Sequence, residues 1–99
     1  MFHHIVLMEF TAQADEAFFI KVEAFSEQIR RTAPALHRYV FGRNVAARSD
    51  GLSHAIIGSF SSAADHDIYQ ASAVHQEMKA YMIPYIARIV VCDFDEDHP

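Results

Sequence analysis

Four separate stretches of the chain have the pattern of β-strands. Residues 3–10 and 53–60 show a period of two, which is typical of a strand. The apolar residues within 37–43 and 89–94 predict two further strands. A polar segment between the second and third strands ends in the turn-forming pair Asp50-Gly51, so these two strands are predicted to form a hairpin.

Apolar residues recur at helical spacing between the strands. The first helix is predicted from a stripe formed by Phe18, Val22, Phe25 and Ile29. It ends before Pro34, because the residue preceding a proline is pushed away from the helical region. Ser61-Ser62 can cap a second helix that holds Tyr69, and a further helical stretch follows over 74–85.

The order strand, helix, strand, strand, helix pair, strand predicts a ferredoxin-like βαββαβ fold of the α+β class. No linker or repeat divides residues 1–99, which indicates one domain whose acidic end, 95–99, is expected to be a flexible tail. Both strand faces are apolar, with Ile5 on one and Val6 on the other, whereas one helical layer covers only one face. A second copy would cover the other, so the sequence predicts a homodimeric α+β barrel.

Composition and charge narrow the classes of partner. Hydrophobic residues make up 52% of the chain, which is rich for so small a domain and indicates an interface or a pocket. The net charge of −5 disfavours a nucleic-acid partner. No apolar stretch approaches the roughly 20 residues that span a bilayer, and no signal-peptide pattern is present, so a membrane partner is not expected. The one cysteine, Cys92, is predicted to be a small buried hydrophobic residue, and a cytoplasmic location is expected.

Seven histidines raise the question of a metal site. His3 and His4 are neighbours on a strand and therefore point to opposite faces. No acidic or cysteine cluster joins them in the sequence. The sequence therefore predicts neither a metal site nor a cofactor.

Several segments, in order and spacing, resemble the stress-responsive A/B barrel (Dabb) family over nearly the whole chain. They are His4-Ile5-Val6-Leu7, Pro34-Ala35-Leu36, Gly42-Arg43-Asn44-Val45, Ser53-His54-Ala55-Ile56, Tyr69 with Ala73-Val74-His75, Pro84, and Asp93-Phe94. The resemblance implies a homodimeric barrel. Within the family the chain is similar to members of the olivetolic acid cyclase type, which close a linear polyketide thioester by an intramolecular aldol reaction without metal or organic cofactor.

The same resemblance implies a set of site residues. His75 matches the catalytic base and Tyr69 the catalytic tyrosine, while His4 and His54 match two histidines that line the substrate pocket. The chain departs from the family where Ser72-Ala73-Val74-His75 replaces the frequent His-Pro-Ala-His. Six residues along a continuous helix would leave Tyr69 and His75 about 120° apart, so a helix break near Ser72 is needed for both to face one cavity.

The chemistry of these residue types agrees with such a role. A neutral imidazole, with a pKa near 6.5, can deprotonate a carbon between two carbonyl groups. A phenol, with a pKa of about 10, keeps its proton at neutral pH and can stabilise the enolate oxygen. Together with the resemblance, these properties predict a cofactor-independent enzyme that acts on an apolar or carbonyl-rich small molecule, with His75 as base and Tyr69 as donor.

Three other interpretations stay open. Related dimeric barrels include cofactor-free monooxygenases that act on quinol-like aromatics. A non-catalytic stress-response or ligand-binding protein could hold an apolar molecule in the same cavity. Tyr69 and His75 could also be ordinary residues at the edge of the core, satisfied by backbone groups.

Overall fold

In the computed structural model, which describes residues 1–98, four strands form one antiparallel sheet in the order β2-β3-β1-β4. The elements along the chain are β1 (Phe2–Phe10), α1 (Glu16–Thr32), β2 (Leu36–Arg43), β3 (His54–Phe60), α2 (Ala63–Ala71), α3 (Ala73–Met82), a 3-10 turn (Ile83–Tyr85) and β4 (Ile86–Asp95). The predicted ferredoxin-like α+β fold is confirmed.

Residues at its two ends determine where the long helix α1 begins and ends. Asp15 caps it, since its carboxylate accepts a hydrogen bond from the backbone N–H of Phe18 at 2.9 Å. Arg30 and Arg31 lie in the last turn, where cations interact favourably with the helix dipole. Ala33, which precedes the proline, is extended and ends the helix. Within residues 1–98, neither α1 nor any other helix has the length and apolar character needed to cross a membrane.

A single residue, Ser72, separates α2 from α3. Its backbone is extended, with φ −68° and ψ 152°, and it serves as C-cap of α2 and N-cap of α3. Its hydroxyl donates to the carbonyl of Tyr69 at 2.7 Å and accepts from the backbone N–H of His75 at 3.3 Å. The predicted helix break is therefore present, and one serine side chain stabilises both helix ends beside it.

The strand register divides the side chains between two faces of the sheet. On the inner face, Val6 lies opposite Ile56 and packs against the helices in a core shared with Phe18, Val22, Ile29, Met78 and Met82. The other face, here called the outer sheet face, carries Ile5, Leu7, Val40, Ile57, Val90, Cys92 and Phe94. These seven side chains are exposed or half-buried, so the prediction of two apolar faces is confirmed.

Cys92 departs from its prediction. It lies on the outer sheet face, opposite Ile5, and is exposed in the single chain. Its strand, β4, is at the edge of the sheet. An apolar run in the sequence therefore did not imply burial here, because the outer face of this edge strand has no helix to cover it.

Strand β4 is longer than the sequence predicted. Strand β4 begins at Ile86, three residues earlier than expected, and extends to Asp95, which lies opposite Phe2. This pairing brings the amino group of Met1 to 2.6 Å from the carboxylate of Asp97. Residues 95–97 thus contact the start of β1, and Pro99 lies outside the described residues.

Candidate functional site

A cavity of about 560 Å³ lies between the inner face of the sheet and helices α2 and α3. Its wall is mainly apolar, with Val6, Ile56, Met78 and Met82 among its members. The polar side chains on the wall are His4, Tyr39, Tyr69, Gln70, His75, Lys79 and Arg88. A pocket of this size, with a few polar groups in an apolar lining, suits a small organic molecule.

His75 is held in one tautomer by the backbone. Its Nδ1 lies 3.0 Å from the carbonyl oxygen of Gln70, and a carbonyl can only accept, so Nδ1 carries the proton. The neutral ring therefore keeps a lone pair on Nε2. Burial lowers the pKa of His75, against the opposing effect of the Gln70 hydrogen bond. The side chain is thus neutral and able to accept a proton at pH 7.

Tyr69 lies against His75 with the two ring centroids 4.7 Å apart and the rings edge to face. The Tyr69 hydroxyl is 2.9 Å from the hydroxyl of Tyr39, which in turn contacts the sulfur of Met78 at 3.7 Å. Burial raises the pKa of Tyr39 to about 12 and moves the pKa of Tyr69 well above its usual value. Both phenols therefore stay protonated near neutral pH and act as hydrogen-bond donors.

Tyr39 lines the cavity, although the sequence did not point to it as a candidate site residue. It lies on β2 directly opposite Gly58 of β3, and a Cβ at that glycine would approach the Tyr39 ring to 3.3 Å. The absence of a side chain at Gly58 therefore leaves space for the Tyr39 ring over the sheet. The available sequence signal was the alternation of β2, which places residues 39 and 41 on one face.

His4 is fixed by a carboxylate. Its Nδ1 lies 2.6 Å from Oδ1 of Asp93, its cross-strand neighbour on β4. His4 is buried, and its ring centroid lies 4.5 Å from that of His66 and 6.2 Å from that of Tyr69. Asp93 and His66 complete the surroundings of His4, and neither was predicted as a site residue.

The structure places His54 apart from the other three predicted residues. It stacks on Phe41, with centroids 5.3 Å apart, and on Phe19 at 4.7 Å, and its Nδ1 contacts the hydroxyl of Ser53. It is not among the residues that line the cavity. The reason is position along β3, since four residues, or about 13 Å, separate it from Gly58. His4, Tyr69 and His75 meet at the cavity, whereas His54 belongs to an aromatic cluster beside it.

Comparisons with known proteins agree with this architecture. A family model described as Stress responsive A/B Barrel Domain matches residues 2–96. A search of curated proteins finds no match.

Among solved structures, hydroxynitrile lyase from Passiflora edulis has a TM-score of 0.84 and 24% identity, over 99% of this chain and 96% of that one. A dimeric ferredoxin-like protein of unknown function from Jannaschia sp. CCS1 has a TM-score of 0.84 and 18% identity, over 95% and 97%. A Nitrosomonas europaea protein, assigned provisionally as an antibiotic biosynthesis monooxygenase, has a TM-score of 0.82 and 15% identity, over 99% and 91%. At these identities the likeness is one of fold.

Proposed function

The chain belongs to the stress-responsive A/B barrel family, and from that premise we propose that it is a cofactor-independent enzyme acting on a carbonyl-rich small molecule. His75 is the base and Tyr69 donates to the oxyanion. The observation that carries the proposal is the contact between these two rings, 4.7 Å apart on the wall of one apolar cavity. The pair combines a base that can accept a proton with a hydroxyl that donates a hydrogen bond and keeps its own proton at neutral pH.

The proton transfer follows from the hydrogen bonds of the two side chains. Nε2 of His75 removes a proton from a carbon between two carbonyl groups, while Nδ1–H stays bonded to the Gln70 carbonyl. The electron pair of the broken C–H bond moves onto a carbonyl oxygen, and the Tyr69 hydroxyl donates a hydrogen bond to the resulting enolate. The imidazolium later returns its proton to the product, so the enzyme is regenerated without a metal or organic cofactor.

The enolate defines the class of reaction. Its carbon can attack a second carbonyl of the same molecule, as in an intramolecular aldol cyclisation, or the reverse step can cleave a carbon–carbon bond. The Passiflora protein is a lyase on the same fold, which supports the cyclase or lyase class. The mainly apolar wall supports a substrate with an apolar body and polar groups at one end.

A homodimer is part of the same proposal. The outer sheet face exposes a contiguous row of apolar side chains, with Val90 44% and Phe94 47% exposed. An apolar surface of this kind is unusual on a monomer and is typical of an interface. The Jannaschia protein of the same fold is dimeric, which supports a second copy of this chain as the cover.

The test uses a probe reaction, because deuterium uptake needs only the base. A β-keto thioester with an apolar chain is incubated with the protein in heavy water, and exchange at the carbon between the carbonyls is followed by NMR. His75→Ala should slow the catalysed exchange by about 10²–10⁴-fold while the fold is retained. The matched control is His37→Ala, since His37 is exposed and contacts Ser61 outside the cavity.

The outcome distinguishes the enzyme from its alternatives. Catalysed exchange that survives His75→Ala, with probe binding intact, would overturn the assignment of the base. Binding of the probe without any catalysed exchange would favour a ligand-binding protein. Oxygen consumption with a quinol-like aromatic would favour the monooxygenase alternative.

A further inference from the structure

Three side chains of metal-ligating types converge beside the cavity from three different elements. They are His4 on β1, His66 on α2 and Asp93 on β4, and one potential ligand atom from each lies within 4.8 Å of the other two. Both histidines are buried, at 5% and 7% exposure, while Asp93 reaches the surface. We propose that this cluster binds a divalent transition-metal ion of the zinc type.

The donor set suits such an ion. Two imidazole nitrogens and one carboxylate oxygen form a ligand combination that zinc uses in proteins, with bonds of about 2.0–2.2 Å and open positions for water. Ligand atoms around one ion are thus at most about 4 Å apart. His4 and Asp93 are within this limit at 2.6 Å, the length of a hydrogen bond, and the donor atom of His66 lies within 4.8 Å of both. Side-chain rotation is therefore needed to bring the three donors around one centre.

His66 is held in place by a neighbour on the same helix. Its Nε2 lies 3.1 Å from the side-chain amide of Gln70. The amide nitrogen faces Nε2 in the structure, so binding of the ion through Nδ1 requires the amide to turn and present its oxygen to Nε2–H. Gln70 then orients the ligand, as partners of metal-bound histidines usually do.

Metal binding would change the contacts of these residues. The ion would replace the hydrogen bond between His4 Nδ1 and the Asp93 carboxylate, since both groups become its ligands. The bound ion would also join the edge strand β4 to β1 and α2. Neither effect depends on the proton transfer at His75, so this inference goes beyond the proposed function and is tested separately from it.

The experiment titrates the full-length protein with zinc against a chelating dye and records the visible spectrum with cobalt. We expect one ion per chain. Asp93→Asn and His66→Gln should each weaken zinc binding by at least about tenfold and remove the cobalt spectrum. The matched control is His3→Gln, because His3 contacts the Glu96 carboxylate at 3.0 Å on the opposite sheet face and should bind zinc as the wild type does.

Several results would overturn the proposal. These are an absence of zinc binding at micromolar concentrations, equal affinity in the wild type and Asp93→Asn, or a loss of binding in His3→Gln. His66 is buried among Phe2, His4 and Phe60, so its substitution could impair folding. In that case Asp93→Asn alone decides, because Asp93 lies at the surface. Deuterium exchange of the β-keto thioester probe is also measured with a chelator present. That measurement tests the proposed enzyme without metal, so a failure of the metal proposal can be told from a failure of the enzyme proposal.

Discussion

The hydrogen bond between Tyr39 and Tyr69 allows the roles of the two phenols to be separated. Their hydroxyl oxygens are 2.9 Å apart, and each side chain is 1% exposed. Tyr69→Phe and Tyr39→Phe each keep the ring and remove one hydroxyl. A typical net hydrogen bond contributes about 0.5–1.5 kcal/mol, and a buried partner left unpaired adds to the loss. Each single substitution should therefore lower the free energy of unfolding by about 1–2 kcal/mol.

The double variant measures the coupling. Both singles break the same bond, so their effects should not add, and the double should be more stable than the sum predicts by about 1 kcal/mol. Denaturant unfolding of all four proteins gives this value. Coupling near zero would mean that the two hydroxyls do not share the bond seen in the structure.

Turnover distinguishes the donor from its support. Tyr69→Phe should slow deuterium exchange of the β-keto thioester probe by about 10²–10³-fold with little change in probe binding, since the oxyanion donor acts in the transition state. Tyr39→Phe should have a much smaller effect, because the Tyr39 hydroxyl bonds to the Tyr69 hydroxyl and is not assigned to the oxyanion. Equal losses of turnover in both variants would refute the assignment of Tyr69 as the donor.

Two further outcomes follow from protonation and from the exposed sheet face. Burial lowers the pKa values of His66 and His75, so the unfolded chain takes up protons at a higher pH than the folded protein does. The free energy of unfolding and the rate of catalysed exchange should therefore both decrease as pH falls below about 6.5. A free energy of unfolding that rises in this range would contradict the prediction. Ile57→Lys on the outer sheet face should dissociate the dimer and lower the melting temperature, whereas Ile20→Lys on the exposed side of α1 should do neither. Sedimentation and thermal unfolding of the two variants test this. A wild-type protein that sediments as a monomer would contradict the proposed homodimer.

The fold could be predicted from the sequence because its signals are local. Each strand and helix shows its period within a short window, and caps such as Asp15 are adjacent to the helices they begin. The start of β4 was missed because Ile86 is made a strand residue by pairing with Phe10, which is distant in sequence. The prediction that Cys92 is buried was wrong for a related reason. Apolar character shows that a residue favours burial, but it does not show whether another part of the fold packs over that residue.

The candidate site could be predicted only in part. A family resemblance pointed to His4, Tyr69 and His75, which line one cavity in the structure, and helix geometry indicated the break near Ser72. The same resemblance also pointed to His54, which the structure places in an aromatic cluster. A motif match supplies residue types, whereas distance along a strand decides which of them share a pocket.

Strand register is what assembles the polar part of this site. Tyr39, Gly58, His4 and Asp93 form one row across the four strands, each residue opposite the next. Because side chains alternate between faces, a slip of one residue in any pairing would move its member of the row to the outer sheet face. The buried apolar residues on either side, such as Val6 opposite Ile56, oppose that slip. The packing that stabilises the fold therefore also fixes the positions of the groups that carry the proposed chemistry.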